Sequence, residues 1–280
     1  MKTKSLRSTE RRMALLPADT MWAIKRGVLD RIRAAAQQVL AGEFDLTGYE
    51  GALASRRGRG GFELAAGNVA VLRLEGILQR HLSIFAWLFG GTSTAEFEQD
   101  FLSSVNDPSV SGILLTVNSP GGSVDGTAEL SHTIYQHRGR KPIIALADSM
   151  AASAALWIAS SADKLFVRGP TAVTGSIGVI GTHFDFSERE RASGLRVTEV
   201  VSTPKKNLLS PHQSLSDEGR AWMQRDVDFI HAEFIRALAR NRGVSFERAA
   251  SWGTGETFFA PEAIRLGIAD AANAPDALIS

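Results

Sequence analysis

From about residue 68 onward, short apolar runs alternate with longer stretches whose apolar residues recur every three or four positions. Val69 to Leu74, Gly112 to Val117, Ile143 to Ala147, Lys164 to Val167 and Arg196 to Val201 predict strands. Gly112 to Val117 is almost wholly apolar, the pattern of a strand buried on both faces of a parallel sheet. Ser93-Thr94-Ala95-Glu96 has capping-box spacing and predicts a helix reaching about Asn106. Further helices are expected from about Ser123 to His137 and from Ser216 to about Asn241. The second carries Trp222, Val227, Ile230, Phe234 and Leu238 on one stripe. Strands and helices in this alternation imply right-handed crossover units and an α/β fold, with no internal repeat.

Upstream of residue 62 the texture is different. Residues 1–20 read as an arm, with Asp19 or Thr20 capping a helix from Met21 to about Ala41. Its apolar positions are Trp22, Ile24, Val28, Leu29, Ile32, Ala36 and Leu40. Its opposite face is basic, with Lys25, Arg26, Arg31 and Arg33, and reads as a docking or plain surface helix. Gly51 to Gly61 is rich in glycine and arginine and reads as a linker. The expected division is an N-terminal extension over 1–61 and an α/β domain over 62–280.

Charge changes this picture in one respect. The formal net charge of the 280 residues is +1, but residues 1–60 hold 12 Lys/Arg against 6 Asp/Glu. That segment carries +6 and the remainder −5. No aromatic residues interleave the basic run, so no nucleic-acid partner is expected. With no cysteine, disulfides, thiol nucleophiles and cysteine-based metal sites are excluded. No metal cluster or nucleotide loop is legible, so no cofactor is expected. The run from Ile143 to Ala162 is long enough to span a bilayer. Asp148 and four serines make it a buried strand and helix instead.

Candidate chemistry gathers in a few small-residue loops. Asp148 to Ala159 follows the apolar run Ile143–Ala147 and turns through small residues, which would hold Ser153 at a strand-to-helix bend. A nucleophile elbow needs that geometry, although alanines stand where G-x-S-x-G has glycines. A buried small-residue helix is the plainer alternative. Asn118-Ser119-Pro120-Gly121-Gly122-Ser123 lies at a strand's C-terminal end, where α/β folds place sites and where free N–H groups would serve an oxyanion hole. Thr174-Gly175-Ser176-Ile177-Gly178 is a second loop of the kind. Among six histidines, His183 is the candidate base for Ser153. The other is Lys206, which would have to lose most of a pKa near 10.4 by burial in an apolar pocket.

Five motifs occur in one order: residues 117–124 (VNSPGGSV), 148–167 (DSMAASAALWIASSADKLFV), 174–181 (TGSIGVIG), 206–211 (KNLLSP) and 258–270 (FFAPEAIRLGIAD). Over about residues 68–271 the chain resembles the signal peptide peptidase A family of serine proteases. The resemblance implies a Clp protease/crotonase-like fold, a twisted parallel sheet flanked by helices. It implies Ser153 as nucleophile, Lys206 as general base 53 residues later and Ser176 as the hydroxyl orienting that lysine. Gly121 or Gly122, with the N–H of Ala154, would form the oxyanion hole. Lys205 is the alternative base, and His183 would serve a Clp-like mechanism. Trp157 stands where the family commonly has tyrosine, and with its apolar neighbours would favour small or apolar side chains before the cut.

Met21-Trp22-Ala23-Ile24 and Gly90-Gly91-Thr92-Ser93-Thr94 look like the phage and prophage branch of that family, which matures capsids. The lack of an N-terminal membrane anchor fits that branch, and no scaffold-like tail follows Ser280. The resemblance thus implies an endopeptidase acting on polypeptides, with capsid or scaffold proteins as candidates. It implies assembly as a homo-oligomeric ring or dome, with no membrane span. The location would be the bacterial cytoplasm or an assembling procapsid. The alternatives are a signal peptide peptidase that degrades membrane peptides, a crotonase-like acyl-CoA enzyme that needs no Ser153, and a non-catalytic assembly component.

Overall fold

The computed structural model describes residues 21–41, 61–82 and 90–273. The arm over 1–20 and all of the Gly/Arg linker but Gly61 lie outside those residues. Strand β1 (Trp22–Ile24) leads into helix α1 (Arg26–Ala41). Strands β2 (Glu63–Ala65), β3 (Val69–Gln79) and β4 (Gly91–Ser93) precede helix α2 (Thr94–Asn106), and β5 (Gly112–Ser123) precedes α3 (Thr127–Gln136). Strand β6 (Ile143–Ala152) runs straight into α4 (Ala154–Ala159). Next come β7 (Lys164–Val167), β8 (Val173–Gly175), α5 (Ser187–Ala192) and the long α6 (Asp217–Arg242). The chain closes with α7 (Phe246–Ala250), β9 (Thr257–Phe259), α8 (Ala260–Leu266) and β10 (Ala271–Ala272).

The strands form one sheet with the spine β10-β7-β6-β5-β3-β2. Neighbours β3, β5, β6, β7 and β10 are parallel, as the α/β pattern requires. Toward their C-terminal ends the register changes. Register shifts fall between Glu75 and Ile77 and between Val117 and Asn118. The first half of β6 pairs with β7, and its last residues, Met150 to Ala152, pair with β8 instead. Beyond these shifts β3, β5 and β6 stay paired, and the ends of β5 and β6 take further partners: β1 on β5, β8 on β6 and β9 on β8. The functional residues collect there.

One face of the sheet carries the core. Leu72, Leu74, Ile113, Leu115, Val117 and Ala145 pack with Phe101, Leu130, Ile134, Leu156, Trp157 and Phe234 from the helices. Leu114, Ile144 and Leu146 form a smaller cluster with Val69, Val71 and Phe166, as alternation along the strands requires. Ser93 caps α2 by accepting from the Glu96 N–H, and Ser216 caps α6 by accepting from the Gly219 N–H.

Four expectations need correction. Trp22–Ile24 is a strand, and α1 begins only at Arg26. Three apolar residues gain little as a helix start, whereas the open edge of β5 offers them unpaired backbone groups. The helix expected from Ser123 starts at Thr127, because β5 continues through Ser123. Arg196 to Val201 is not a strand. Its alternating residues find no edge within the described residues, and Val200 is 95% exposed. Trp157 does not face a groove: it is 2% exposed and stacks on Phe234 with ring centroids 4.4 Å apart.

The short α4 needs support, since six residues make few internal bonds. Arg138 supplies it. Its guanidinium donates to the carbonyls of Ser160, Ser161 and Ala162 just past α4, and to the Asn241 carbonyl in α6. Arg138→Ala leaves several of these carbonyls without a donor and is expected to cost roughly 2–3 kcal/mol in urea unfolding. A loss under 0.5 kcal/mol would show that water replaces the guanidinium.

Candidate active site

Ser153 stands between β6 and α4, at φ 55 and ψ −121. A residue with a Cβ occupies that region only when its surroundings impose it. Here β6 delivers it from one side, and its N–H is bound by the Gly175 carbonyl at 2.8 Å on the other. Ser153 is fully buried, and its Oγ has no hydrogen-bond partner among the described residues. An orphaned buried hydroxyl costs stability. The plain alternative, a serine bonded back to its own turn, does not apply: Ser160 and Ser161 bond in that way and Ser153 does not.

The glycine loop lies against it. A Cβ on Gly121, where φ is 101, would stand 3.0 Å from the Ser153 Cβ and 2.3 Å from the Ala23 carbonyl oxygen. One on Gly122 would stand 1.9 Å from the Leu78 carbonyl oxygen. The Gly121 N–H donates to Ser119 Oγ at 3.1 Å, and Gly122 lies opposite Ala23 of β1, between the bonded pairs Lys25–Pro120 and Met21–Val124. Ala154 is the first residue of α4, where helix geometry supplies no internal acceptor for its N–H. Ser119 Oγ in turn donates to the Gly76 carbonyl, pinning the loop to the bulge of β3.

Ser176 follows directly on β8, whose Gly175 pairs with Ala152, and is therefore the neighbour of Ser153 across that edge. It too has positive φ, 53, held by its N–H to the Glu256 carbonyl. It borders an open cleft of about 750 Å³ together with Ile24, Lys25, Ile180, Glu256 and Phe258.

Lys206 lines a second cavity. It sits on a 3-10 turn, Pro204–Asn207, with its side chain exposed. Met21, His183, Glu199 and Ser210 share its cavity. Met21 lines the cavity of Lys206, and Ile24 lines the cleft of Ser176. Lys205 lies with its Nζ 5.4 Å from the centre of the Trp222 ring, a cation–π contact. His183 Nε2 is 3.0 Å from the Ser210 carbonyl. The neighbouring loops are tied by Asp185, which accepts from the Ser187 hydroxyl and N–H and from the Ser214 hydroxyl. Those bonds lower its pKa to about 2.

The structure therefore brings together Ser153, Gly121, Gly122, Ala154 and Ser176, while Lys206 and His183 line a second cavity and Lys205 packs on Trp222. It also adds residues that the sequence did not single out. Glu256 positions Ser176 through its carbonyl. The strand β1 covers the site, and nothing in a three-residue apolar run signals that placement.

A serine on a strained strand-to-helix elbow, beside a glycine loop at the C-terminal ends of parallel strands, is the arrangement of α/β proteins with a serine nucleophile. The chain belongs to peptidase family S49, whose profile matches residues 136–280. It is similar to capsid assembly protease C of Escherichia phage lambda, at 30% identity over 211 residues, covering 75% of this chain and 48% of the phage protein. It is similar at 30% identity to the head-tail preconnector protein GP5 of Enterobacteria phage P21, over 75% of this chain and 42% of that one. The putative signal peptide peptidase SppA of Enterococcus faecium is 29% identical over 177 residues, covering 61% of this chain and 51% of its own length. This chain spans about half the length of these relatives. Among solved structures it matches the 1510-N membrane-bound stomatin-specific protease, with a TM-score of 0.48 and 15% identity over 75% of this chain and 81% of that one. Among the described residues, no helix is long and apolar enough to cross a membrane.

Proposed function

We propose that this chain is a serine endopeptidase that uses a Ser153–Lys206 dyad to cut polypeptides during phage or prophage head assembly. The observation that carries the reading is Ser153 itself: a strained, buried hydroxyl, without a partner among the described residues, against the Gly121–Gly122 loop. In the reaction, Ser153 Oγ adds to the scissile carbonyl and its proton passes to Lys206 Nζ. The oxyanion is held by the N–H groups of Gly122 and Ala154. Collapse expels the amine, which takes the proton back, and water then releases the acyl group. Ser176 orients the lysine. The head-assembly part of the reading is supported by the two phage relatives, and a capsid or scaffold protein is the substrate it implies.

A lysine serves as general base when an apolar pocket desolvates it, and in the single chain Lys206 is exposed. In our reading, assembly of several copies completes the dyad, one copy presenting Lys206 to the Ser153 of the next. Exposed apolar residues that a second copy would cover support this, among them Leu195, Val200, Phe229 and Phe259.

The test is complementation on unfolded casein. Ser153→Ala and Lys206→Ala are each expected to be inactive. Co-assembled one to one, they are expected to recover roughly a quarter of wild-type activity, since a random neighbour pair is competent one time in four. A mixture as inactive as its components would place both groups of the dyad in one chain. Full activity in Lys206→Ala alone would remove the lysine from the mechanism.

A further inference from the structure

A polypeptide substrate must lie extended across the glycine loop with its carbonyl at the nucleophile, and in this chain that place is filled. β1 runs antiparallel to the end of β5, with Trp22 opposite Ser123, Ala23 opposite Gly122 and Ile24 opposite Gly121. Both of its edges are bonded. On one side, the Lys25 N–H reaches the Pro120 carbonyl at 2.8 Å and the Val124 N–H reaches the Met21 carbonyl at 3.0 Å. On the other, Trp22 and Ile180 exchange bonds of 3.0 and 2.8 Å. The two segments that grip it are those flanking Ser153: the oxyanion loop and the stretch just after Ser176.

Its position along the groove is equally pointed. The Ala23 carbonyl oxygen is 2.3 Å from where a Cβ of Gly121 would be, and that same point is 3.0 Å from the Ser153 Cβ. A backbone carbonyl of the chain itself thus stands at the loop beside the nucleophile. Trp22, Ala23 and Ile24 are 3%, 0% and 3% exposed, and Ser153 beneath them is fully buried. Met21 ends in the cavity of Lys206, and Ile24 and Lys25 end in the cleft of Ser176. One strand threads every part of the proposed machinery.

We infer that Met21–Lys25 is a tethered occupant of the substrate groove, a built-in strand that must leave before a polypeptide can bind. The inference rests on the reading of Ser153 as nucleophile. It also states the class of substrate, because what replaces the strand must make the same contacts: an extended segment, antiparallel to residues 120–124, with a small residue where Ala23 lies between two larger apolar ones. Strand addition of this kind takes its affinity from main-chain bonds and its selectivity from alternate side chains.

The absence of cysteine makes a clean test possible in the full chain. Trp22 and Ile180 face each other as an antiparallel hydrogen-bonded pair, a geometry with Cα atoms about 5.5 Å apart and within reach of a disulfide. In the double variant Trp22→Cys/Ile180→Cys, oxidation locks the strand and reduction frees it. The readout is the rate at which a fluorophosphonate acylates Ser153, located by peptide mass mapping. Locking is expected to slow labelling more than about tenfold, because it removes the open fraction on which reaction depends, and dithiothreitol is expected to restore it. In a separate variant, Trp22→Ala, loss of the largest anchor is expected to speed labelling several-fold over wild type.

Equal labelling of the locked and reduced forms, or no acceleration in Trp22→Ala, would overturn the inference and leave Ser153 standing as the nucleophile. Failure of every folded form to label at Ser153 would overturn the nucleophile reading, and this inference with it.

Discussion

Ser153→Ala is expected to abolish casein hydrolysis, by about 10³-fold or more, while leaving the protein at least as stable as before. The two halves of that expectation come from one observation. The hydroxyl is buried, without a partner among the described residues and held at positive φ. Removing an unsatisfied polar atom from a buried site relieves its desolvation penalty, worth about 1 kcal/mol. Alanine keeps the Cβ, so the strain at φ 55 is unchanged. Loss of activity with a raised or unchanged urea midpoint would identify a group that is kept at a cost for chemistry. A destabilised Ser153→Ala would mean that the hydroxyl holds the elbow together and that the reaction belongs to another group.

Among the described glycines, Gly122→Ala is expected to be the most damaging added methyl. The new Cβ would stand 1.9, 2.5 and 2.6 Å from the O, C and Cα of Leu78. Those are backbone atoms of β3, already paired in register with β5, so relief requires prising the two strands apart. Overpacking against backbone of this kind is expected to cost at least about 3 kcal/mol. Activity should fall with it, since the loop can no longer present its N–H beside Ser153. Gly178→Ala is the matched control. The nearest atom to its Cβ would be 4.0 Å away, and its stability should stay within about 0.5 kcal/mol of wild type. Equal urea midpoints for the two variants would show that β3 yields at Leu78, and the loop would then be softer than its pairing suggests.

Much of the fold was legible because it rests on local pattern. Gly112–Val117 and Ile143–Ala147 read as buried strands, and both are the first halves of central parallel strands. Ser93 and Ser216 read as helix caps, and both accept the N–H bond that a cap accepts. The part of the site built within single loops was legible too. Ser153 after an apolar run, the pair Gly121–Gly122 and Ser176 after Gly175 are each set by a few consecutive residues, and the ends of β5, β6 and β8 bring the three loops together.

Misreadings fell where a segment's conformation is decided by what lies beside it. Arg196–Val201 has the alternation of a strand, but a strand needs an edge, and its residues remain exposed in the single chain. Trp157 looked like a groove residue from its place near Ser153, and the direction of α4 turns it into the core onto Phe234.

What the sequence determined by itself is therefore the α/β class, the caps, the elbow and the glycine loops, because periodicity, turn chemistry and small residues act over a few positions. What only the tertiary structure decided is the use of Trp22–Ile24. As an isolated tripeptide it has no strong preference between helix and strand. Hydrogen bonds to Pro120, Val124 and Ile180, contributed by segments some 100 to 160 residues away in the chain, settle its conformation and lay it across the nucleophile.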